Sequence, residues 1–391
     1  MEEENLFGIE LATLSRDMFE LRPFQKEALE ALNASLKNHH LICIAPTGSG
    51  KSLIYEQAVA TGNYRMILIS PLIALARQQF EKLSKNHIPV TLGAGGSPSG
   101  PPQTRAGTWI ISPEILSFSS RQHSLRQWKP NLLVVDECHC LWEWGDHFRT
   151  SFSQIPDLLK HYSIPKSLWL TATLPYEARC KLREVLPQPL TEIGSFDLPS
   201  NLFLSLKKVP WKNRAEALLH FLQQRTDSGI VFVSTREGAE RVTRILESTG
   251  KNIITYHGGM SREERKNAEK LVSQKIPEIV VATSAFGMGM DYPQLSYIAL
   301  WQAPTSLLSL VQIIGRVGRN RLKKGEAIVL WDLEDFHLLE WTIQNSEKRR
   351  LELFKVLDFL SSNGCRKAKL KLYFDKIHDS PCRDSCDFCC H

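Results

Sequence analysis

The chain has 391 residues, 42% of them hydrophobic and 23% charged, and carries a formal net charge of +6. That length exceeds one ordinary core and points to two or three domains, each burying its own apolar surface. No apolar run approaches the roughly 20 residues that cross a bilayer, and the acidic opening MEEENLFGIE has neither the basic nor the apolar region of a secretory leader, so no membrane association and a cytoplasmic location are expected.

In chain order, the first half shows short β-branched runs separated by helical patterns: LICIA (41–45), RMILIS (65–70), TWIIS (108–112), LLVVD (132–136) and SLWLT (167–171). Each is apolar on both faces, as a strand covered by helices on two sides must be, which predicts a parallel α/β sheet. GAGGSPSGPP (93–102) reads as a surface loop within this unit. After Leu186 the turn-rich PQPLTEIGSFDLPSN reads as a connection, and the rhythm restarts with GIVFVS (229–234), EIVVA (278–282), YIALW (297–301) and EAIVLW (326–331). These predict a second parallel sheet, with the domain boundary near 190–200. From about Thr342 the pattern turns helical, with Leu351, Phe354, Leu357, Phe359 and Leu360 near one face and a stop at Asn363-Gly364. Between Asn345 and Lys376 nine Lys or Arg stand against four Asp or Glu, a basic excess suited to a polyanion partner.

The chemistry starts after the first strand. In APTGSGKS (45–52) the glycines let backbone N–H groups curl toward phosphate oxygens, and the following helix adds its positive end. Thr47, Gly48, Ser49 and Gly50 form the cradle, Lys51 reaches the β- and γ-phosphates of ATP, and Ser52 holds Mg²⁺. Such a loop needs a second metal ligand, and Asp136 stands at the end of a sheet-core strand, with Glu137 next to it to orient and deprotonate the attacking water. Three rings follow these acids in WEWGDHFR (142–149). Aromatic faces stack on the bases of single strands without reading sequence, contributing on the order of 1–3 kcal/mol per base. Trp144, Phe148 and Arg149, with Trp142 in support, are therefore expected to sense a single strand of nucleic acid and gate hydrolysis.

Of nine cysteines, Cys43, Cys138, Cys140 and Cys180 are scattered as reduced thiols would be, and five crowd the last 27 residues. Cys365, Cys382, Cys386 and Cys389 are spaced C-x16-C-x3-C-x2-C, a soft set suited to structural Zn²⁺, with Cys390 and His391 as substitute ligands.

APTGSGKS, DECH (136–139), TAT (171–173), VVATSAFGMGMD (280–291) and QIIGRVGR (312–319) resemble the motifs of superfamily 2 helicases. WEWGDHFR and the cysteine tail preceded by CRKAKLKLYF narrow the resemblance to the RecQ family of DNA helicases, over roughly residues 15 to 390. The resemblance implies two RecA-like parallel-sheet domains in tandem (1–195 and 196–342), followed by a small helical zinc-binding subdomain (343–391), in a short form ending after that segment. It implies adenine contacts from Arg22 and Gln25, Gln312 and Arg316 facing the nucleotide from domain two, Arg319 as an arginine finger, and Thr283 on the strand backbone. It further implies 3′ to 5′ movement on single-stranded and partly duplex DNA, in recombination or repair. The sequence departs from the family at Asp146-His147, at Ile313 and at Asn320-Arg321. An RNA remodeller of the same superfamily would leave the aromatic loop and cysteine tail unexplained; a nonenzymatic scaffold would not need both Lys51 and Glu137.

Overall fold

The computed structural model describes residues 20–34, 38–71, 73–93, 99–112, 119–143, 155–223, 225–286, 294–318, 323–342 and 346–390. Two parallel sheets follow each other along the chain. The first lobe runs α1 (Pro23–Asn33), β1 (His39–Ile44), α2 (Ser52–Ala60), β2 (Arg65–Ile69), α3 (Ile73–Lys85), β3 (Val90–Gly93), β4 (Gly107–Ile111) and α4 (Ser119–Trp128). It continues through β5 (Leu132–Val135), α5 (Cys140–Glu143), α6 (Ile155–His161), β6 (Lys166–Thr171), α7 (Tyr176–Val185) and β7 (Leu190–Gly194). Its strand order is β3-β4-β2-β5-β6-β1-β7.

The second lobe runs β8 (Leu202–Lys208), α8 (Arg214–Gln223), β9 (Gly229–Phe232), α9 (Arg236–Glu247), β10 (Ile253–Tyr256) and α10 (Arg262–Ser273). It closes with β11 (Ile279–Ala282), β12 (Tyr297–Leu300), α11 (Leu307–Ile314), β13 (Gly325–Trp331) and α12 (Leu333–Thr342), in the order β10-β11-β9-β12-β13-β8. A helical hairpin, α13 (Glu347–Ser361) and α14 (Arg366–Asp375), precedes the cysteine tail.

The central strands are almost wholly buried, β1, β5, β9 and β11 from end to end, because helices cover both faces, leaving one apolar layer on each side of each sheet. Every central strand corresponds to an apolar run legible in the sequence. The four strands without such a run, β3, β7, β8 and β10, are the outermost strands of the two sheets. They are only partly covered, so their residues alternate or mix. Leu190–Gly194, expected to lie in a connection, is paired with β1 as β7. Gly194 there has φ +77°, and a Cβ would sit 2.2 Å from the Ile44 carbonyl oxygen, so the close approach requires glycine.

Lobe two contains a fully buried ion pair. Arg214 Nη1 donates to Asp335 Oδ1 at 2.7 Å and to the Trp301 carbonyl at 3.1 Å, while Asp335 Oδ2 accepts the Ala303 and Asp332 amides. The Asp335 carboxylate thus has its charge matched and both oxygens bonded, the condition under which a buried pair is tolerated.

The hairpin shares lobe two's core through Leu353, Val356, Phe359, Leu360, Leu370 and Phe374. The expected apolar face of α13 is corrected here: Leu351 and Phe354 are each 54% exposed, and Leu353 and Val356 take the buried positions. The tail then extends sheet two, because Leu204 of β8 pairs with Cys386. The Leu204 amide donates to the Ser385 carbonyl at 3.2 Å, the Asp387 amide to the Leu204 carbonyl at 3.0 Å, and the Leu206 amide to Asp387 Oδ2 at 3.0 Å. An otherwise open sheet edge is covered in this way.

Candidate functional site

Strands β5, β6 and β1 are neighbours in the first sheet, so the segments leaving their C-terminal ends converge. Those segments are the DECH box, TAT and the phosphate loop, and the crevice beyond the carboxyl ends of parallel strands is where such folds bind ligands. The Ala45 amide donates to the Thr171 carbonyl at 3.1 Å, the Asp136 amide to Ile69 and the Cys138 amide to Leu170 at 2.9 Å, so sheet pairing carries on into the motifs.

In the loop, Gly48 and Gly50 have φ +73° and +82°. Lys51 is buried, its Nζ donating to the Ala45 and Pro46 carbonyls at 2.9 and 3.1 Å. Gln25 spans from α1 to the loop: Nε2 donates to the Gly50 and Ser49 carbonyls at 2.8 and 3.3 Å, and Oε1 accepts the Arg22 amide at 2.8 Å. A Cβ on Gly50 would lie 2.8 Å from that Nε2. Ser49 Oγ is buried without a hydrogen-bond partner among the described residues. An inward loop with an orphaned hydroxyl and a lysine suits a phosphate chain.

The acids are wired to TAT through His139. Glu137 has φ +48°, which turns it back over the sheet. Its Oε2 lies 3.2 Å from His139 Nδ1, which is also 3.0 Å from Thr171 Oγ1. The Thr171 hydroxyl donates to the Thr173 carbonyl, so His139 Nδ1 is the donor toward both Thr171 and Glu137. Burial and the adjacent Glu137 raise the Asp136 pKa above the usual carboxylate range, with Lys51 pulling the other way. For Glu137 burial also works upward, but the His139 bond and the charges of His139, Lys51 and Arg316 outweigh it and hold the carboxyl low. One acid is thus held ionised beside another that a divalent cation would ionise.

Arg316 comes from lobe two, in the turn after α11, and reaches Glu137 electrostatically across the cleft. Its guanidinium also lies 6.0 Å from the Phe232 ring centroid. Gln312, one turn earlier, has a buried Nε2 with no partner among the described residues. Thr283 follows β11, with its amide bonded to the Tyr256 carbonyl at 3.1 Å. Arg319, Trp144, Phe148 and Arg149 lie outside the described residues, as does His391.

Trp142, expected in support of the other rings, is engaged within the chain. It packs against the cores of both lobes, with Lys348 Nζ 3.8 Å and Lys181 Nζ 5.1 Å from its ring centroid, so the ring is not a free platform for a base. Five of the nine basic residues between Asn345 and Lys376 also bond within the chain, two of them to backbone carbonyls that leave their charge uncancelled. Lys348, Lys355, Arg366, Lys367 and Lys371 bond to Trp142, Glu177, Asp387, Pro199 and Asp379 respectively. Two contributors had little sequence signal. His139 was visible only as a letter of DECH, and Arg179, whose Nη2 lies 2.5 Å from Asp375 Oδ1 across the lobe one to hairpin seam, sits in an ordinary helical stretch.

At the tail, the ligand atoms of Cys365, Cys382, Cys386 and Cys389 all lie within 4.8 Å of one another. Zn–S bonds of about 2.3 Å in a tetrahedron put sulfurs about 3.8 Å apart, so the set fits with little adjustment. Cys365 also caps α14, its Sγ accepting the Ala368 amide at 3.5 Å and the Cys382 amide at 3.2 Å. Burial opposes it, but these donors draw the thiol down to about 7, favouring the thiolate a metal takes. Cys390 is exposed and its Sγ donates to the Asp384 carbonyl.

The two tandem parallel sheets and the motifs at the first sheet's edge define the core of a superfamily 2 helicase. A DEAD/DEAH box helicase model matches residues 22–181, and a helicase conserved C-terminal domain model matches residues 213–321. Within that superfamily the chain is similar to helicases of the RecQ type. It is 29% identical over 388 residues to "ATP-dependent DNA helicase RecQ" of Pasteurella multocida, covering 95% of this chain and 61% of that one. It is 28% identical over 390 residues to the protein of the same name from Haemophilus influenzae, covering 96% and 62%. The chain therefore spans about three fifths of the length of these relatives. Among solved structures, Saccharomyces cerevisiae Dbp5 bound to RNA and ADP BeF3 shares the fold, with a TM-score of 0.63 at 19% identity over 86% of this chain and 93% of that one. Among the described residues no helix is long and apolar enough to cross a membrane.

Proposed function

We propose that the chain is an ATP- and Mg²⁺-dependent, DNA-stimulated helicase or translocase that moves 3′ to 5′ on single-stranded DNA and acts on single-stranded and partly duplex DNA in recombination or repair, in the cytoplasm. The observation that carries this reading is the convergence of Lys51, Asp136, Glu137 and the His139–Thr171 link on one sheet edge, with Arg316 acting on Glu137 from the other lobe. The relatives' name, ATP-dependent DNA helicase, agrees with it.

In this reading Arg22 and Gln25 border the adenine, and Thr47, Gly48, Ser49, Gly50 and Lys51 hold the phosphates. Ser52 and Asp136 would hold Mg²⁺, which when bound neutralises the β- and γ-phosphate oxygens. Glu137 orients the attacking water while His139 fixes its carboxylate. Gln312, Arg316 and Arg319 answer the charge of the transition state from lobe two, so hydrolysis depends on how the lobes meet. Thr283 holds the strand backbone, and Trp144, Phe148 and Arg149 contact the bases. Cys365, Cys382, Cys386 and Cys389 would hold Zn²⁺ as a structural clip for the tail.

Phosphate release measured without polymer, with single-stranded DNA, with duplex DNA and with RNA tests the reading, using Lys51→Ala as control. Stimulation greatest with single-stranded DNA is expected. Greater stimulation by RNA would favour an RNA remodeller, and binding without phosphate release a nonenzymatic scaffold.

A further inference from the structure

Among the described residues, three cationic side chains carry polar bonds between the α13/α14 hairpin and lobe one. Arg179 of α7 meets Asp375 at 2.5 Å, Lys355 Nζ meets Glu177 at 3.0 Å, and Lys348 Nζ donates to the Trp142 carbonyl at 2.6 Å. The first two end on α7, away from the catalytic acids in the chain. Lys348 alone among the three ends on α5, which grows directly out of the DECH turn. The Cys140 amide donates to the Glu137 carbonyl at 3.0 Å and the Trp142 amide to the His139 carbonyl at 2.9 Å, so a displaced Trp142 pulls on Glu137 and His139 through hydrogen-bonded turns.

Lys348 grips Trp142 twice, by its carbonyl and by its ring, with Nζ 3.8 Å from the ring centroid. The indole Nε1 is buried without a partner among the described residues. Among those residues the orientation of Trp142 is set by packing between two cores and by lysine ammonium groups, chiefly the nearer one. Because α13 belongs to lobe two's core, Lys348 carries the position of lobe two to the root of the segment that begins at Trp144.

We propose that Lys348 is a positioning residue that couples lobe two to the hydrolytic acids by holding Trp142. This rests on the DNA-stimulated reading above. Lys348 touches neither nucleotide nor reacting atoms in this scheme. It acts through Trp142 on Glu137 and His139.

Phosphate release by the full chain, titrated with single-stranded DNA, tests it in three variants. Lys348→Ala is expected to lose about fivefold or more of the DNA stimulation, the lower range of ordinary site-to-site coupling, and to need more DNA for half-stimulation, while polymer-free release and the thermal midpoint stay near those of the unsubstituted chain. Lys348→Arg, which keeps the charge, the donors and the ring contact, is expected to retain most of the stimulation. Lys355→Ala removes a hairpin bond to lobe one without touching Trp142 and should behave like the unsubstituted chain. Unchanged stimulation in Lys348→Ala would overturn the proposal. So would an equal loss in Lys355→Ala, which would make the contact a mere tether, or failure of Lys348→Arg to rescue. An unsubstituted chain that DNA does not stimulate would overturn the underlying reading, a result distinct from a stimulated chain indifferent to Lys348.

Discussion

The two lobes carry similar sheets but organise their facing edges differently. Lobe one closes its polar groups on itself: Lys51 bonds its own loop, Gln25 braces that loop from α1, and Glu137, His139, Thr171 and Thr173 form a chain of hydrogen bonds. Lobe two's facing edge directs charge at lobe one. Gln312 carries a buried amide nitrogen with no partner among the described residues, and Arg316 exerts its charge on a residue of the other lobe. Lobe two's elaborate network, Arg214 with Asp335, lies in its interior instead. The contrast separates two tasks. Under the proposed function, one lobe is preorganised to hold a substrate, and the other is stable in itself while its contribution to chemistry is switched by approach.

The sharpest way to break that contrast is to attack lobe two's interior. Asp335→Ala leaves the Arg214 guanidinium buried and unmatched, and is expected to cost about 3–5 kcal/mol. Hydrogen exchange should show lost protection in β9 and β12 with β1 and β6 spared; equal loss in both lobes would mean that they do not hold their stability separately.

Next come the facing edges. Arg316→Ala is expected to slow phosphate release by a factor on the order of 10²–10³ with nucleotide binding retained, whereas Lys51→Ala loses both, a difference read by nucleotide titration beside single-turnover hydrolysis. A smaller change is expected from Thr171→Val, which removes one of the two acceptors of His139 Nδ1 and should raise the hydrolytic barrier by about 1–3 kcal/mol while leaving binding in place. The smallest concerns the tail. Chelation of zinc should weaken amide protection at Leu204 and Leu206 by about 1 kcal/mol per bond, since Ser385 and Asp387 accept those amides, and should leave β7 unchanged.

What could be read from the chain divides along the same physical lines. A strand covered on both faces must be apolar throughout, so the central strands stood out; β3, β7, β8 and β10, each at a sheet edge, mix polar and apolar residues and did not. The phosphate loop was legible because its glycines, lysine and serine act within a few residues of one another. The tail's four cysteines were legible for the same reason, and their sulfurs do gather. By contrast the contacts that Trp142 and five of the hairpin's basic residues make within the chain were not legible, because composition records what a side chain can touch and not what reaches it first. Leu351 and Phe354 illustrate the same limit on a helix, where a small error in the buried face exchanges core for solvent.

The sequence by itself determined the two sheets' central strands, the phosphate loop with its acids and the cysteine set, since each depends on local spacing or on burial that tolerates only apolar residues. Tertiary structure alone decided that Arg316 acts on Glu137, that Arg179 meets Asp375 and that Lys348 holds Trp142. Those pairs join residues far apart in the chain, and nothing in the spacing of letters fixes which long, flexible cation reaches which partner until the packed cores set the distances between them.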